Sequence, residues 1–125
     1  MLDEDRARIG HMLDAAEEVI RFTSDRERAD LDTDRMLLFA VVRGIEIIGE
    51  AATRMSRETR EAAPELPWTA MASMRHRLIH GYFDVDPDIV WRTATEEVPA
   101  LVPRLRALAG SDWALTIGGR EDASL

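Results

Sequence analysis

Apolar residues recur at intervals of three and four over the first 22 positions of the chain, with Asp, Glu and Arg between them. This spacing is that of one face of an α-helix and predicts an amphipathic first helix. The stretch from 23 to 34 is charged and almost free of large apolar side chains, which predicts a loop or a frayed helix end. Thr33 or Asp34 suits the N-cap position of the helix that follows.

From residue 35 to about residue 55 the chain is apolar on most of a helical circumference. Such a helix needs neighbours on several sides, so we predict that it lies at the centre of the fold. Four charged residues interrupt it at three- and four-residue steps and form one polar stripe: Arg43, Glu46, Glu50 and Arg54. Surface ion pairs and a polar site facing another helix explain the stripe equally well, and both explanations stay open.

Proline and glycine divide the second half of the chain. A short helical piece is predicted between residues 56 and 66, and Pro67 suits the first position of a third helix, over residues 67–82, ended by Gly81. The predicted inner side of this helix carries Trp68, Met71, Met74, Leu78 and Ile79.

A fourth helix is predicted to begin after Asp86 as N-cap, with Pro87 in its first turn, and to end at Gly110. The sequence contains no period-2 strand pattern of useful length and no internal repeat. We therefore predict an all-α fold, an antiparallel four-helix bundle with a short extra helix. The bundle would occupy residues 1–110, and residues 111–125 would form a C-terminal tail.

Length and composition fit a single domain, since 125 residues are enough for one core. The absence of cysteine excludes a disulfide framework, a thiol nucleophile and a thiolate metal site, and it suits a reducing compartment. The N-terminus is charged, and no apolar run approaches the roughly 18 residues of a membrane span. We expect a cytoplasmic protein without a membrane anchor.

The net charge of −8 opposes non-specific attraction to nucleic acid, because that attraction comes from basic side chains that displace counterions from phosphates. Any contact with RNA must therefore be local. The run MRHRLIHGYFD, over residues 74–84, places Arg75, His80 and Tyr82 close together. A guanidinium neutralises charge on phosphoryl oxygens and an imidazole transfers protons near neutral pH, so the run predicts phosphodiester chemistry. The alternative is a helix end with solvated polar groups.

A metal-dependent hydrolase is a weaker alternative. On a continuous helix His76 and His80 would share a face, which is the spacing of paired zinc ligands. The general-base Glu that follows the first His in such enzymes is Arg77 here, and a cation beside a metal opposes binding. We expect neither a metal nor another cofactor.

The same helical geometry places Arg75 and His80 about 140° apart around the axis, so one chain aligns them poorly. Cleavage of RNA by its 2′-hydroxyl uses one group that accepts a proton and another that donates one. Each chain offers a single His80 in this run, whereas a twofold homodimer would present two copies around one cleft.

Arg75, four intervening residues, His80, one more residue and Tyr82 together resemble the signature of HepT toxins, a group within the HEPN ribonuclease superfamily. The resemblance extends over about residues 39 to 105. The segments that carry it are RGIEIIGEAA, PELPW, MRHRLIHGYFDVDPDIVW and EVPAL.

This resemblance implies a toxin of a toxin–antitoxin pair, a helical homodimer that cleaves RNA without metal, with Arg75 and His80 catalytic. It also implies a minimal nucleotidyltransferase as antitoxin, which acts by adenylylating Tyr82 or by occlusion. His76 stands where the family often has Asn, and Glu46 and Glu50 resemble the family's acidic stripe. A non-catalytic module that docks on a nucleotidyltransferase is the alternative function.

Overall fold

Two long helices, α1 (Asp3–Thr23) and α3 (Arg35–Arg54), form the centre of this computed structural model. The structure describes residues 1–80 and 84–116, apart from the side chains of His80 and of residues 111–116. The remaining elements in chain order are α2 (Asp30–Thr33), α4 (Arg57–Ala62), α5 (Trp68–Ala72), α6 (Met74–Leu78), β1 (Ile79–His80), β2 (Asp84–Val85), α7 (Pro87–Arg92), a π-helical segment (Thr93–Glu97) and α8 (Val98–Thr116).

The four layers of the bundle are α1, α3, the pair α5–α6, and the continuous run from α7 through α8. Ser56, just beyond α3, bonds to Asp5 at the start of α1. The part of α8 near Gly110 lines a hollow with Arg6 of α1, whereas the first turn of α8 lines another with Arg21. Both pairs, α1 with α3 and α1 with α8, therefore run antiparallel, and the predicted all-α bundle is confirmed. No helix among the described residues combines the length and the apolar composition needed to cross a bilayer.

The predicted central position of the second helix is confirmed by α3, which packs against α1, α2, α5, α6 and α7. Its side chains Val41, Ile45 and Ile48 are completely buried. At Gly44 an added Cβ would lie 2.4 Å from Cγ2 of Val19, so the close approach of α1 to α3 requires glycine there.

The predicted N-cap Asp34 is confirmed, since its side chain accepts a hydrogen bond from the Leu37 amide at 3.0 Å. The preceding stretch contains more structure than predicted, because α2 forms within it. Leu31 is buried there at 2% exposure. One apolar residue packed against the bundle is enough to order a single turn that has too little periodicity for sequence analysis to detect.

The third helix differs from the prediction of one helix over residues 67–82. The chain leaves α5 at Ser73, where φ is −92° and ψ is 0°, re-enters a helix as α6, and becomes extended after Leu78. Ile79 pairs with Val85 and His80 with Asp84 in an antiparallel register, and the Asp86 amide donates to the Leu78 carbonyl at 2.8 Å. The strand pairing and the β-branched side chain of Ile79 together favour an extended backbone over continuation of the helix. Gly81, the predicted terminator, lies outside the described residues.

The predicted inner side of the third helix is confirmed although the helix is divided. Trp68, Met71, Met74 and Leu78 are buried, and Ile79 is partly buried against the same core. The apolar spacing thus identified which residues face inward without identifying where the backbone changes conformation.

The fourth helix begins as predicted, because Asp86 accepts hydrogen bonds from the amides of Asp88 and Ile89 and Pro87 occupies the first turn. Its predicted end at Gly110 is wrong, since α8 continues to Thr116. A glycine costs about 1 kcal/mol in a helix interior, which weakens a helix without ending it. The division into a bundle of residues 1–110 and a tail of residues 111–125 stays a prediction.

A buried carboxylate joins the start of α1 to the start of α4. Asp5 has no exposed surface, and it accepts hydrogen bonds from the Ser56 amide at 3.1 Å, from Thr59 Oγ1 at 2.6 Å, from Ser56 Oγ and from Arg8 at 3.2 Å. Burial by itself raises the pKa of Asp5, but these hydrogen bonds outweigh it and the pKa lies below its ordinary range. These four residues are called the Asp5 cluster below.

Candidate active site

Arg75 lies on the outer side of α6, between two buried side chains that anchor this short helix to the core. Met74 is 2% exposed and Leu78 is completely buried, whereas the Arg75 side chain is 53% exposed. Its Nε donates to Oε2 of Glu46 at 2.9 Å. Within the described chain the guanidinium makes no other hydrogen bond, so its two terminal nitrogens remain available to a ligand.

Glu46 connects Arg75 to the polar stripe of α3. Arg43 lies 3.9 Å from Oε1 of Glu46 and 3.3 Å from Oε1 of Glu50. The surface ion pairs are therefore confirmed for three of the four stripe residues. Glu46 also contacts α6 through Arg75, and a role of the stripe in a functional site stays a prediction. Arg54, the fourth member, makes no ion pair in the described chain and lines a hollow between α1 and α3 together with Arg43 and Glu50.

Arg77 connects α6 to the fourth helix through an ion pair that no local sequence pattern predicts. Its two terminal nitrogens donate to the two carboxylate oxygens of Glu97 at 3.2 and 2.9 Å, and Thr93 Oγ1 donates to the same carboxylate at 3.3 Å. The Nε of Arg77 is buried without a partner among the described residues. Thr93 and Glu97 bound the π-helical segment, whose wider turn redirects side chains relative to an α-helix.

The backbone of His80 is fixed immediately after α6 by its pairing with Asp84 in β2. Because α6 ends at Leu78, the helical angle expected between Arg75 and His80 does not apply. The side chain of His80 lies outside the described residues, as does Tyr82. The catalytic assignment of Arg75 and His80, and the regulatory assignment of Tyr82, stay predictions.

His76 lies beside Arg75 in sequence but turns toward a different place. It is exposed and lines a hollow of about 370 Å³ between α3, α4, α5 and the start of α6. Arg60, from α4, lines the same hollow. Sequence analysis did not single out Arg60, because no periodicity or short motif connects it with His76.

The spacing argument for a metal site is wrong, since it required His76 and His80 on one continuous helix and α6 ends between them. Among the described residues no group of three or more His, Asp and Glu side chains is placed to hold an ion. Asp86, one of the alternating aspartates after the motif, caps α7.

Comparison with known proteins identifies the family. The profile of a family described as ribonuclease HepT-like matches residues 12–108. A protein of Thermococcus cleftensis named probable ribonuclease HepT is 39% identical over 95 residues, covering 76% of this chain and 86% of that protein. A protein of Methanocaldococcus jannaschii named as a candidate RNase is 38% identical over 90 residues, covering 72% and 83% of the two chains.

A protein of Caldanaerobacter subterraneus subsp. tengcongensis, also named as a candidate RNase, is 36% identical over 103 residues, covering 82% of this chain and 92% of that protein. No solved structure matches the chain at a significant level. The family profile spans more than half of the sequence, and the relatives are matched over most of their own lengths. The resemblance found in the motif is therefore confirmed, and the chain belongs to the ribonuclease HepT-like family.

Proposed function

We propose that this protein is a metal-independent endoribonuclease, the toxin of a toxin–antitoxin pair, which cleaves RNA with Arg75 and His80. The observation that carries the proposal is Arg75 itself: an exposed guanidinium on a short anchored helix, held at Nε by Glu46, with terminal nitrogens that bond to no other described residue. The names of the relatives, ribonuclease HepT and RNase, support RNA as the substrate.

Arg75 would stabilise the transition state rather than take part in proton transfer. A guanidinium stays protonated at any physiological pH, and its planar donors match the oxygens of a phosphate. Glu46 restrains Nε, so the terminal nitrogens can donate to the non-bridging oxygens as negative charge develops on them. Arg77, whose terminal nitrogens are already bonded to Glu97, is less suited to this role.

His80 would perform the proton transfers. In the proposed reaction one imidazole removes the proton of the 2′-hydroxyl, and the 2′-oxygen attacks the adjacent phosphorus. The bond from phosphorus to the 5′-oxygen breaks, and a second imidazole, protonated at the outset, gives its proton to that oxygen. The products are a 2′,3′-cyclic phosphate and a 5′-hydroxyl, and no metal or external reactant is consumed.

Two imidazoles acting on one linkage favour a homodimer in which each chain supplies one His80. A minimal nucleotidyltransferase would be the antitoxin. Adenylylation would join the Tyr82 hydroxyl to the α-phosphate of ATP and release pyrophosphate. The added phosphodiester would place negative charge near Arg75 and His80 and oppose binding of RNA.

Cleavage by the purified protein in the presence of a chelator tests the reaction. We expect His80→Ala to lower the cleavage rate by about 10²- to 10⁴-fold, because a general acid or base contributes that much. His11→Ala is the matched control, since His11 is an exposed histidine on α1. Equal cleavage by the wild-type and His80→Ala proteins would refute the assignment. RNA left intact by a protein that binds a nucleotidyltransferase would favour the docking module instead.

Co-expression with a cognate minimal nucleotidyltransferase tests the regulation. Mass spectrometry should detect added AMP on the wild-type protein and none on Tyr82→Phe. AMP that persists on the Tyr82→Phe protein would place the modification on another residue.

A further inference from the structure

We propose that the hollow between α3, α4, α5 and the start of α6 is a subsite for one backbone phosphate of the RNA, next to the scissile linkage. This inference rests on the proposed function and extends it to a part of the substrate that does not react. The hollow measures about 370 Å³, and its polar lining consists of Thr53, Arg60, Thr69, Ser73 and His76. It is called the Arg60 hollow below.

The charge of the Arg60 hollow is opposite to that of the whole protein. Acidic residues outnumber basic ones by eight in the sequence, yet none lines this hollow, which is formed entirely by described residues. Its charged or chargeable groups are a guanidinium and an imidazole. A phosphate entering the hollow would therefore meet a guanidinium and an imidazole without first displacing a carboxylate.

Arg60 and His76 also have no partner among the residues that the structure describes. Arg57, one turn earlier on α4, donates to Glu61 at 2.8 Å. By contrast, Arg60 and His76 form neither an ion pair nor a hydrogen bond within the described chain. Arg57 has already given its Nε to Glu61, whereas the side-chain donors of Arg60 and His76 are all unused within the described chain, and both residues line the same hollow.

Two of the three hydroxyl groups that line the hollow already donate a hydrogen bond to the protein backbone, and the third has no such bond in the described chain. Thr53 donates to the Gly49 carbonyl at 2.9 Å and Ser73 to the Ala70 carbonyl at 3.1 Å. The Thr69 hydroxyl has no acceptor among the described residues and adds a third free donor. The wall behind these groups is rigid, because Trp68 is 9% exposed and its Nε1 donates to the Ala63 carbonyl at 2.9 Å.

The position of the hollow indicates which phosphate it would hold. Arg75 and His76 are neighbours on α6, and their side chains diverge by about 100° around its axis. Arg75 faces Glu46, and His76 faces the Arg60 hollow. A single strand with its scissile phosphate at Arg75 would bring the next phosphate, or the one after it, to Arg60 and His76. Contacts of this kind fix the register of the strand without reading its sequence.

Binding of an RNA that cannot be cleaved tests the subsite separately from the reaction. The probe is a labelled 2′-O-methyl oligonucleotide, which lacks the attacking hydroxyl, and a series in which one linkage at a time is an uncharged methylphosphonate. Fluorescence anisotropy measures Kd at several salt concentrations. One neutral linkage should weaken binding to the wild-type protein about five- to tenfold, because it removes one charged contact.

Arg60→Ala should weaken binding of the fully charged oligonucleotide by the same factor and should lose its sensitivity to that one linkage. The slope of log K against log salt should fall by about 0.7, as for one phosphate contact on a single strand. Arg57→Ala, an exposed arginine on the same helix, should bind as the wild-type protein does. His76→Ala should lose sensitivity to the same linkage as Arg60→Ala.

The subsite would be refuted if Arg60→Ala bound every oligonucleotide as tightly as the wild-type protein does. In that case, cleavage of RNA by the wild-type protein would still support the proposed function. If Arg60→Ala loses its sensitivity to one linkage but the wild-type protein cleaves no RNA, the subsite would stand and the proposed function would be refuted. If the wild-type protein binds no oligonucleotide, the subsite is refuted, and cleavage of RNA decides the proposed function separately.

Discussion

The Asp5 cluster and the pair of Arg75 with Glu46 are both polar contacts that join a long helix to a short one. They differ in exposure and in how many of their hydrogen-bonding positions are occupied. Asp5 is fully buried and accepts four hydrogen bonds, so its carboxylate has no capacity left for a ligand. Arg75 is half exposed and makes one hydrogen bond. The first arrangement holds the fold, and the second holds a side chain in place while leaving donors free.

Burial decides what each contact contributes. A buried carboxylate that loses its position leaves several donors without an acceptor, which costs more than the bonds themselves contribute. An exposed ion pair is screened by water and contributes about 0 to 1 kcal/mol. Stability should therefore depend on the Asp5 cluster, and activity on Arg75 with Glu46.

The largest expected effect is that of Asp5→Ala on stability. We expect the free energy of unfolding to fall by about 3 kcal/mol, because the Ser56 and Thr59 donors lose their buried acceptor. Denaturation by urea measures this change. Asp3→Ala is the control, since the Asp3 side chain is 96% exposed and pairs only with Arg6 at the surface. A similar loss in both variants would mean that burial does not distinguish the two carboxylates.

Glu46→Gln should show the opposite profile. Its free energy of unfolding should change by less than about 0.5 kcal/mol, whereas kcat/KM for RNA should fall about tenfold, or about 1.4 kcal/mol, because Arg75 is no longer held. Glu46→Asp should recover part of the activity. Glu61→Gln removes the exposed partner of Arg57 and should alter neither quantity. An unchanged kcat/KM in Glu46→Gln would remove any positioning role from this residue.

Arg77 with Glu97 lies between these extremes, being half-buried and bidentate. A double-mutant cycle on unfolding should give a coupling energy of about 1 kcal/mol, since two parallel hydrogen bonds are held in partial shelter from water. The cycle for Arg57 and Glu61, an exposed pair at 2.8 Å, should give about 0.3 kcal/mol. Equal couplings would show that exposure does not rank these contacts.

Acid should produce the smallest effect. The pKa of Asp5 is lowered in the folded protein, so its contribution is present above the ordinary carboxylate range and is lost as the pH falls through the folded value. Between pH 5 and pH 4 the loss should stay under about 0.5 kcal/mol and then grow. The stability gap between the wild-type protein and Asp5→Ala should narrow below pH 4, and a gap that widens there would contradict the lowered pKa.

The sequence predicted the features that depend on local pattern. Helical spacing identified α1 and α3, and the side chains of Asp34 and Asp86 identified two helix starts. These signals succeed because each is a property of residues close together in the chain. The polar stripe of α3 was also correctly placed on one face, and its contact with another helix was one of the two explanations that the sequence left open. The catalytic assignment of Arg75, which rests on the motif, stays a prediction.

The features that were missed depend on contacts between distant residues. The chain becomes extended after Leu78 because of pairing with Asp84 and Val85 and a hydrogen bond from Asp86. Arg77 and Glu97 meet only after two helices have packed. Asp5 resembles Asp3 in every local respect, and only Ser56 and Thr59, which α4 brings to it, make it a buried acceptor.

The change from helix to strand at Leu78 also sets how far the chain reaches. A strand advances about 3.3 Å per residue and a helix 1.5 Å, so the two residues after Leu78 carry the backbone roughly twice as far as another half-turn would. Successive strand residues alternate between faces, so removing Ile79, the one strand residue of the interval, would place the following position on the opposite face of the β1–β2 pair. At this point the interval of the motif constrains the face of the strand as well as the length of the chain.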